Sequence, residues 1–179
     1  MSEFYTMKIA GLERKLKKFP VSESLDIAAF ILFGDTEITV AAAAELLKKV
    51  PEFDYILTPE AKSIPLAYEM SRQSGKPYVV ARKGVKVYMG NPVSVTLRSI
   101  TTQKEQTLYL GEDEVKLVRG KKVLIVDDVI STGESLAAVR QLVITAGGIE
   151  AASCSVLAEG DAADRSDIIY LEKLPLFFK

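Results

Sequence analysis

Short apolar runs alternate along this chain with stretches whose apolar residues recur at helical spacing. Residues 55–58 (YILT) read as a strand. Thr58-Pro59-Glu60 then carries the marks of a helix start: Thr at the N-cap, Pro in the first turn, an acid near the positive end. A helix is expected from there to about Gly75, and a strand at residues 78–82. Residues 123–126 (VLIV) are unbroken, apolar and mostly β-branched, as a strand covered on both faces requires. Leu136, Val139, Leu142, Val143 and Ala146 then fall at helical spacing, and Gly147-Gly148 closes that helix. Further strands are expected at residues 153–158 and near 168–171. Strand and helix in this order predict an α/β fold with a mostly parallel, twisted sheet flanked by helices.

Two regions break the alternation. Residues 84–110 are long and polar around RSITTQKEQ, with β-like VSVTL and TLYL on either side, which predicts a two-stranded excursion with a mobile tip. Residues 1–38 read as a separate small unit ahead of a core at 39–179. Tyr5, Met7 and Ile9 alternate as in a strand, and LDIAAFILFGD is apolar enough to cover something. The basic run at residues 13–18 reads as a solvated face, and the helix TVAAAAELLKKV leads into the core.

Composition narrows the chemistry. The chain has 179 residues, of which 48% are hydrophobic, enough for one domain with a sizeable core. It holds no His, which removes every His-based triad, general base and metal ligand. Cys154 is the sole thiol, so no internal disulfide forms; an inert core position is expected for it. A net charge of −1 argues against a protein built to coat nucleic acid or an anionic membrane. No apolar stretch approaches membrane-spanning length and no secretory pattern opens the chain, so a cytoplasmic protein is expected.

The informative segment is VLIVDDVISTGES, residues 123–135. A buried strand ends in two carboxylates, and a turn of small residues then opens a helix. Ligands of open α/β sheets bind beyond the carboxyl ends of strands. The turn Ser131-Thr132-Gly133-Glu134-Ser135 offers consecutive N–H groups, hydroxyls and a Gly at the positive end of a helix, a cradle for a monophosphate. Asp127 and Asp128 are acceptor-only when ionised and suit a vicinal diol, each charge-assisted bond contributing roughly 1.5–3 kcal/mol. Diol and phosphate a few ångströms apart describe a ribose 5-phosphate. An acidic pair after a strand also occurs in phospho-acceptor receiver domains, but only 51 residues follow Asp128, too few for the rest of that fold. The chain contains neither GxxxxGK[ST] nor GxGxxG.

These thirteen residues resemble the phosphoribosyl pyrophosphate (PRPP) signature of the type I phosphoribosyltransferases. The surrounding chain, from about residue 28 to 165, is similar to the adenine enzymes of that family, with the xanthine enzymes nearby. Glu60-Ala61-Lys62 resembles the family's pyrophosphate loop, with Ser63 in place of its Gly. Ala81-Arg82-Lys83 resembles the family's [VA]-R-K strand end. Ile31-Leu32-Phe33-Gly34-Asp35 resembles the adenine enzymes' hood, where Phe33 would stack on a purine and the backbone near Leu32 would read its edge. The loop at residues 98–106 lacks the family's acidic-aromatic segment and carries only Glu105.

The resemblance implies the type I fold with a small N-terminal hood and a mobile two-stranded loop. It also implies transfer of ribose 5-phosphate from PRPP to a purine, with Mg²⁺ bound through PRPP and Asp127 and Asp128 as its candidate protein contacts. Lys62, Arg82 and Lys83, with the backbone at Ala61, would hold the pyrophosphate; loop 84–106 would close to exclude water. A homodimer is expected, without nucleic acid or membrane as partner. Glu159 and Asp161, acceptors at the end of the 153–158 strand, favour a 6-amino purine, so adenine is the expected base. A 6-oxopurine enzyme and a non-catalytic PRPP- or purine-sensing regulator of the same fold are the alternatives.

Overall fold

A computed structural model describes residues 3–98 and 105–179. The first three strands, β1 (Phe4–Ile9), β2 (Leu12–Pro20) and β3 (Leu25–Ala28), precede helix α1 (Thr36–Leu47). The core follows as β4 (Tyr55–Pro59), α2 (Ile64–Ser74), β5 (Tyr78–Ala81), β6 (Val93–Arg98), β7 (Glu105–Leu110), α3 (Glu112–Val118), β8 (Lys122–Ile130), α4 (Glu134–Thr145), β9 (Ile149–Glu159) and β10 (Ile169–Leu174). A last short strand is β11 (Phe177–Phe178).

The main sheet has the order β10-β9-β8-β4-β5, and every neighbouring pair is parallel. Its centre is β8, whose residues alternate between two apolar layers. Leu124 and Val126 join α1, α2 and the N-terminal strands on one face; Val123 and Ile125 join α3, α4 and the β6–β7 pair on the other. Both layers are dry, so the run at 123–126 has to be apolar throughout. From β4 the chain moves outward to β5 and later returns on the other side of β4 as β8. The carboxyl ends of β4 and β8 therefore open a crevice where the winding reverses.

The structure moves the start of α2. Thr58 and Pro59 stay in β4, paired with Val80 and Ala81, and the helix begins five residues later. The Pro that opens it is Pro65, in the first turn after Ser63, where its missing N–H costs nothing. Residues 60–63 are thereby left as a loop rather than a helical turn. Arg82, expected to close the 78–82 strand, lies just past β5, exchanging backbone hydrogen bonds with Tyr109 at 2.9 and 2.8 Å, which ties the β6–β7 ribbon to the sheet edge. The tip expected to be mobile falls on 99–104, outside the described residues.

The N-terminal strands form a second, antiparallel sheet, which takes its fourth strand, β11, from the end of the chain. The basic run is only half solvated. As β2, it sends Glu13, Lys15 and Lys17 outward and turns Leu12, Arg14 and Leu16 toward the core. Arg14 forks onto Asp35, with Nε to Oδ2 at 2.7 Å and Nη2 to Oδ1 at 2.9 Å. Asp35 also accepts the Ile38 N–H at 3.2 Å as N-cap of α1. Cys154 is fully buried against the same layer, and burial pushes its thiol pKa up.

Candidate active site

The crevice between β4 and β8 is a cleft of about 220 Å³. One wall is the 59–63 loop with Lys83, the other is β8 from Asp127 to Ile130 and the turn behind it; Gln106 and Leu108 of β7 border the mouth. Val129, Ile130, Leu108 and Leu136 supply the apolar lining between the charged ends.

Sheet pairing places both acids. β8 continues past the apolar run to Ile130, still paired with β9, so Asp127 and Asp128 sit within the strand rather than after it. Asp127 accepts the N–H of Asp128 at 2.8 Å. Enclosure by protein, and next the neighbouring Asp128 charge, push its pKa up to about 7. Asp128 is 3% exposed, and its Oδ2 lies 2.9 Å from Lys62 Nζ without the alignment of a hydrogen bond. A buried carboxylate oxygen lacking an aligned donor is costly, and a ligand hydroxyl would satisfy it.

Local sequence explains the loop that brings Lys62 there. Ser63, which stands where the resemblance has Gly, is 1% exposed and turned inward. It accepts from Thr58 Oγ1 at 2.7 Å and donates to the Pro59 carbonyl at 3.1 Å, so its hydroxyl is used inside the protein. The Glu60–Ala61 peptide is cis. Glu60 accepts the Lys83 N–H at 2.9 Å and lies 3.5 Å from Arg82 Nε.

At the far end of the cleft the chain bends through Ser131 and Thr132 to Gly133, which precedes α4 with φ +84°. No side chain caps that helix strongly; Thr132 Oγ1 is 3.5 Å from the Glu134 N–H. The first-turn amides of a twelve-residue helix are thus available to an anion.

Not every expected site residue is in this cleft. Asp127, Asp128, Ala61, Lys62, Lys83, Ser131, Thr132, Gly133 and Ser135 line it. Glu134 is exposed in the first turn of α4 and does not, and Arg82 is engaged with Glu60 behind Lys83. Leu32 and Phe33 border a neighbouring groove with Thr39, Val40, Ile64 and Tyr68. Leu32 anchors the hood in the core at 1% exposure, leaving Phe33 outside at 56%. Glu159 ends β9 beside Leu174, also away from the cleft. Sequence reading overlooked Val129 and Ile130, which lie inside the motif itself, and Gln106 and Leu108, which the polar composition of the ribbon obscured.

Comparison with known proteins identifies the family. The phosphoribosyl transferase domain family matches residues 34–174, and the chain belongs to that family. Among curated relatives it is 34% identical over 120 residues to HGPRTase-like protein 1 of Halalkalicoccus jeotgali, covering 67% of this chain and 60% of that one. It is 32% identical over 113 residues to the purine biosynthesis transcriptional repressor PurR of Bacillus subtilis, covering 63% and 39%. A hypoxanthine/guanine phosphoribosyltransferase of Methanothrix thermoacetophila is 29% identical over 163 residues, covering 86% and 82%. The chain thus spans about 60% or less of the first two relatives. In fold it is similar to adenine phosphoribosyltransferase from Thermoanaerobacter pseudethanolicus, with a TM-score of 0.70, 23% identity and coverage of 89% and 95%. No helix among the described residues is long and apolar enough to cross a membrane.

Proposed function

We propose that the protein transfers the 5-phosphoribosyl group of PRPP to a ring nitrogen of a purine, releasing pyrophosphate. The observation that carries this reading is the arrangement along one cleft: the Lys62 and Lys83 wall, the Asp127–Asp128 pair, and the amide-lined turn at 131–135. Their spacing suits pyrophosphate, ribose diol and 5-phosphate in that order. As the C1–oxygen bond to pyrophosphate breaks, Lys62 and Lys83 take up the leaving group's growing negative charge. Asp127 and Asp128 accept from the 2- and 3-hydroxyls and favour positive charge on the sugar ring. Val129, Ile130 and Leu108 keep water from the cationic carbon. The bond to the base then forms, and the proton displaced from its nitrogen passes to solvent. Asp128 has to leave Lys62 for the diol, which frees Lys62 for the pyrophosphate.

Mg²⁺ is the implied cofactor. Two carboxylates fit part of a six-oxygen shell, and among the described residues no three or more acids, His or Cys converge. Asp127 and Asp128 would hold the metal together with oxygens of PRPP and water, and it would supply charge neutralisation of the pyrophosphate.

Adenine is the proposed base, supported by the likeness of residues 31–35 to the adenine enzymes' hood. Hypoxanthine or guanine is the second reading, favoured by the relative that aligns over 86% of the chain and by Glu159 lying outside the cleft. A homodimer is the proposed assembly, as the resemblance to the family implies. The test is to supply Mg²⁺ and PRPP with adenine, hypoxanthine, guanine or xanthine in turn and follow nucleotide formation. Product from one base assigns the substrate. Tight PRPP binding without product from any base replaces the enzyme with a sensor.

A further inference from the structure

The 5-phosphate end of the cleft has no cation of its own: between Lys122 and Arg140 the chain contains neither Lys nor Arg, and the turn itself carries Glu134. A distant segment meets it there. Arg165 follows the 3-10 turn Gly160–Asp164 after β9, and its Nη1 packs so closely on Gly133 that any Cβ at that position would collide with it. The other two nitrogens are bound to a carboxylate. Nε donates to Asp167 Oδ1 at 2.9 Å and Nη2 to Oδ2 at 2.8 Å, a bidentate fork that fixes the plane of the guanidinium, with Nη1 the nitrogen nearest Gly133. Asp167 is fixed in turn by Arg140 of α4, whose Nη2 reaches the Asp167 carbonyl at 2.9 Å. Arg140 Nε reaches Glu150 of β9 at 2.9 Å, and Ser153 donates to the same carboxylate at 2.6 Å. The two arginines hold the Asp167 carboxyl well below the usual range, Arg165 first. Nη1 donates no hydrogen bond among the described residues.

We infer that Arg165 is a positioning residue of the phosphate pocket: anchored through Asp167, it turns its free Nη1 toward the turn at Gly133 and adds positive charge where the 5-phosphate binds. The charges of this cluster balance overall, but they are oriented. The carboxylates of Asp167 and Glu150 are taken up by Nε and Nη2 of Arg165, by Arg140 and by Ser153, and Nη1 of Arg165 is the nitrogen nearest Gly133. The same contact crowds the Cβ position of Gly133, whose positive φ already favours glycine.

The inference rests on the PRPP reading and is tested separately from it. Ribose 5-phosphate and magnesium pyrophosphate are titrated calorimetrically into the full wild-type chain, Arg165→Gln and Arg165→Lys. Arg165→Gln should weaken ribose 5-phosphate by about tenfold, the scale of one charge-assisted contact, and change pyrophosphate by less than about twofold. In turnover it should raise KM for PRPP with kcat nearly unchanged. Arg165→Lys should recover part of the loss. Should Arg165→Gln fail to fold, Arg165→Lys carries the same comparison, because lysine cannot keep the fork on Asp167 while facing the turn. Equal ribose 5-phosphate affinity in wild type and variant overturns the inference. So does a parallel loss of both ligands, which marks a general loosening of the site. Wild-type protein that takes neither ligand removes the PRPP reading itself, and this inference with it.

Discussion

Two carboxylates each face a basic side chain at short range: Asp35 takes Arg14 Nε at 2.7 Å, and Asp128 takes Lys62 Nζ at 2.9 Å. Around Asp35 both oxygens are used by a planar guanidinium, and a helix N–H adds a third bond. Hydrogen bonding to Arg14 lowers the pKa of Asp35. Around Asp128 one flexible amine touches a buried oxygen out of alignment, and next to it Asp127 is pushed the other way, up to about 7. A carboxylate whose bonds are complete holds structure together. An acidic pair whose bonds are incomplete has acceptors left for a ligand.

The largest effect that separates the two comes from removing charge at each. Asp127→Asn combined with Asp128→Asn should cut turnover by about a thousandfold or more, since groups aligned with developing charge carry contributions of that order. Stability should hold or rise, because two adjacent carboxylate charges no longer repel. Asp35→Asn should do the reverse: turnover per folded molecule changes little, and about 1–3 kcal/mol of stability is lost with the Arg14 fork. Steady-state kinetics and urea unfolding on both variants read this out. Near-normal turnover in the double variant would end the assignment of the cleft.

Titration sharpens the contrast, because the two acids shift in opposite senses. Asp127 binds its proton more tightly folded than unfolded, so stability is lost as pH rises from the ordinary carboxylate range through about 7. The ionised pair is the form that accepts a diol, so kcat/KM for PRPP should climb over the same interval. In Asp127→Asn the stability slope near neutrality should flatten. Asp35 has a lowered pKa, so its contribution is present above the ordinary range and disappears as pH falls through it. Unfolding midpoints between about pH 2 and 8 distinguish the two, since only the acid limb should respond to Asp35→Asn.

Much of this contrast was legible in the chain. Residues 123–135 announce both strand and turn because burial on two faces, paired acids and a Gly at positive φ each leave a mark in residue type. The hood was less legible: in the run at 13–18, the strand period that turns Arg14 inward is masked by basic residues at four of its six positions. Pairing decided that strand, and its partner for Arg14 lies 21 residues away. Thr58-Pro59 misled for a related reason. Thr and Pro open helices, but here the parallel ladder with β5 holds them in the sheet, and Ser63 and Pro65 take the role instead. Arg165 had no local signature at all, since its meaning comes from a turn 32 residues earlier in the chain.

The smallest expected effect tests whether the loop bearing Lys62 is held as firmly as the contrast requires. Ser63 ties the end of β4 to the start of α2 through Thr58 and the Pro59 carbonyl, all in the interior. Ser63→Gly restores the residue of the resembled loop and removes both bonds, leaving Thr58 Oγ1 buried without its acceptor. It should cost about 1–2 kcal/mol in stability, the sum of a lost hydrogen bond and added backbone freedom. Because Lys62 adjoins this position, its contact with Asp128 should loosen, and KM for PRPP should change by about two- to threefold while kcat stays close to wild type. Thr58→Val should reproduce the stability loss only, since it leaves the backbone of the loop untouched. If both variants shift KM equally, the hydroxyl pair rather than the residue at 63 sets the position of Lys62, and the loop is steered from inside the sheet.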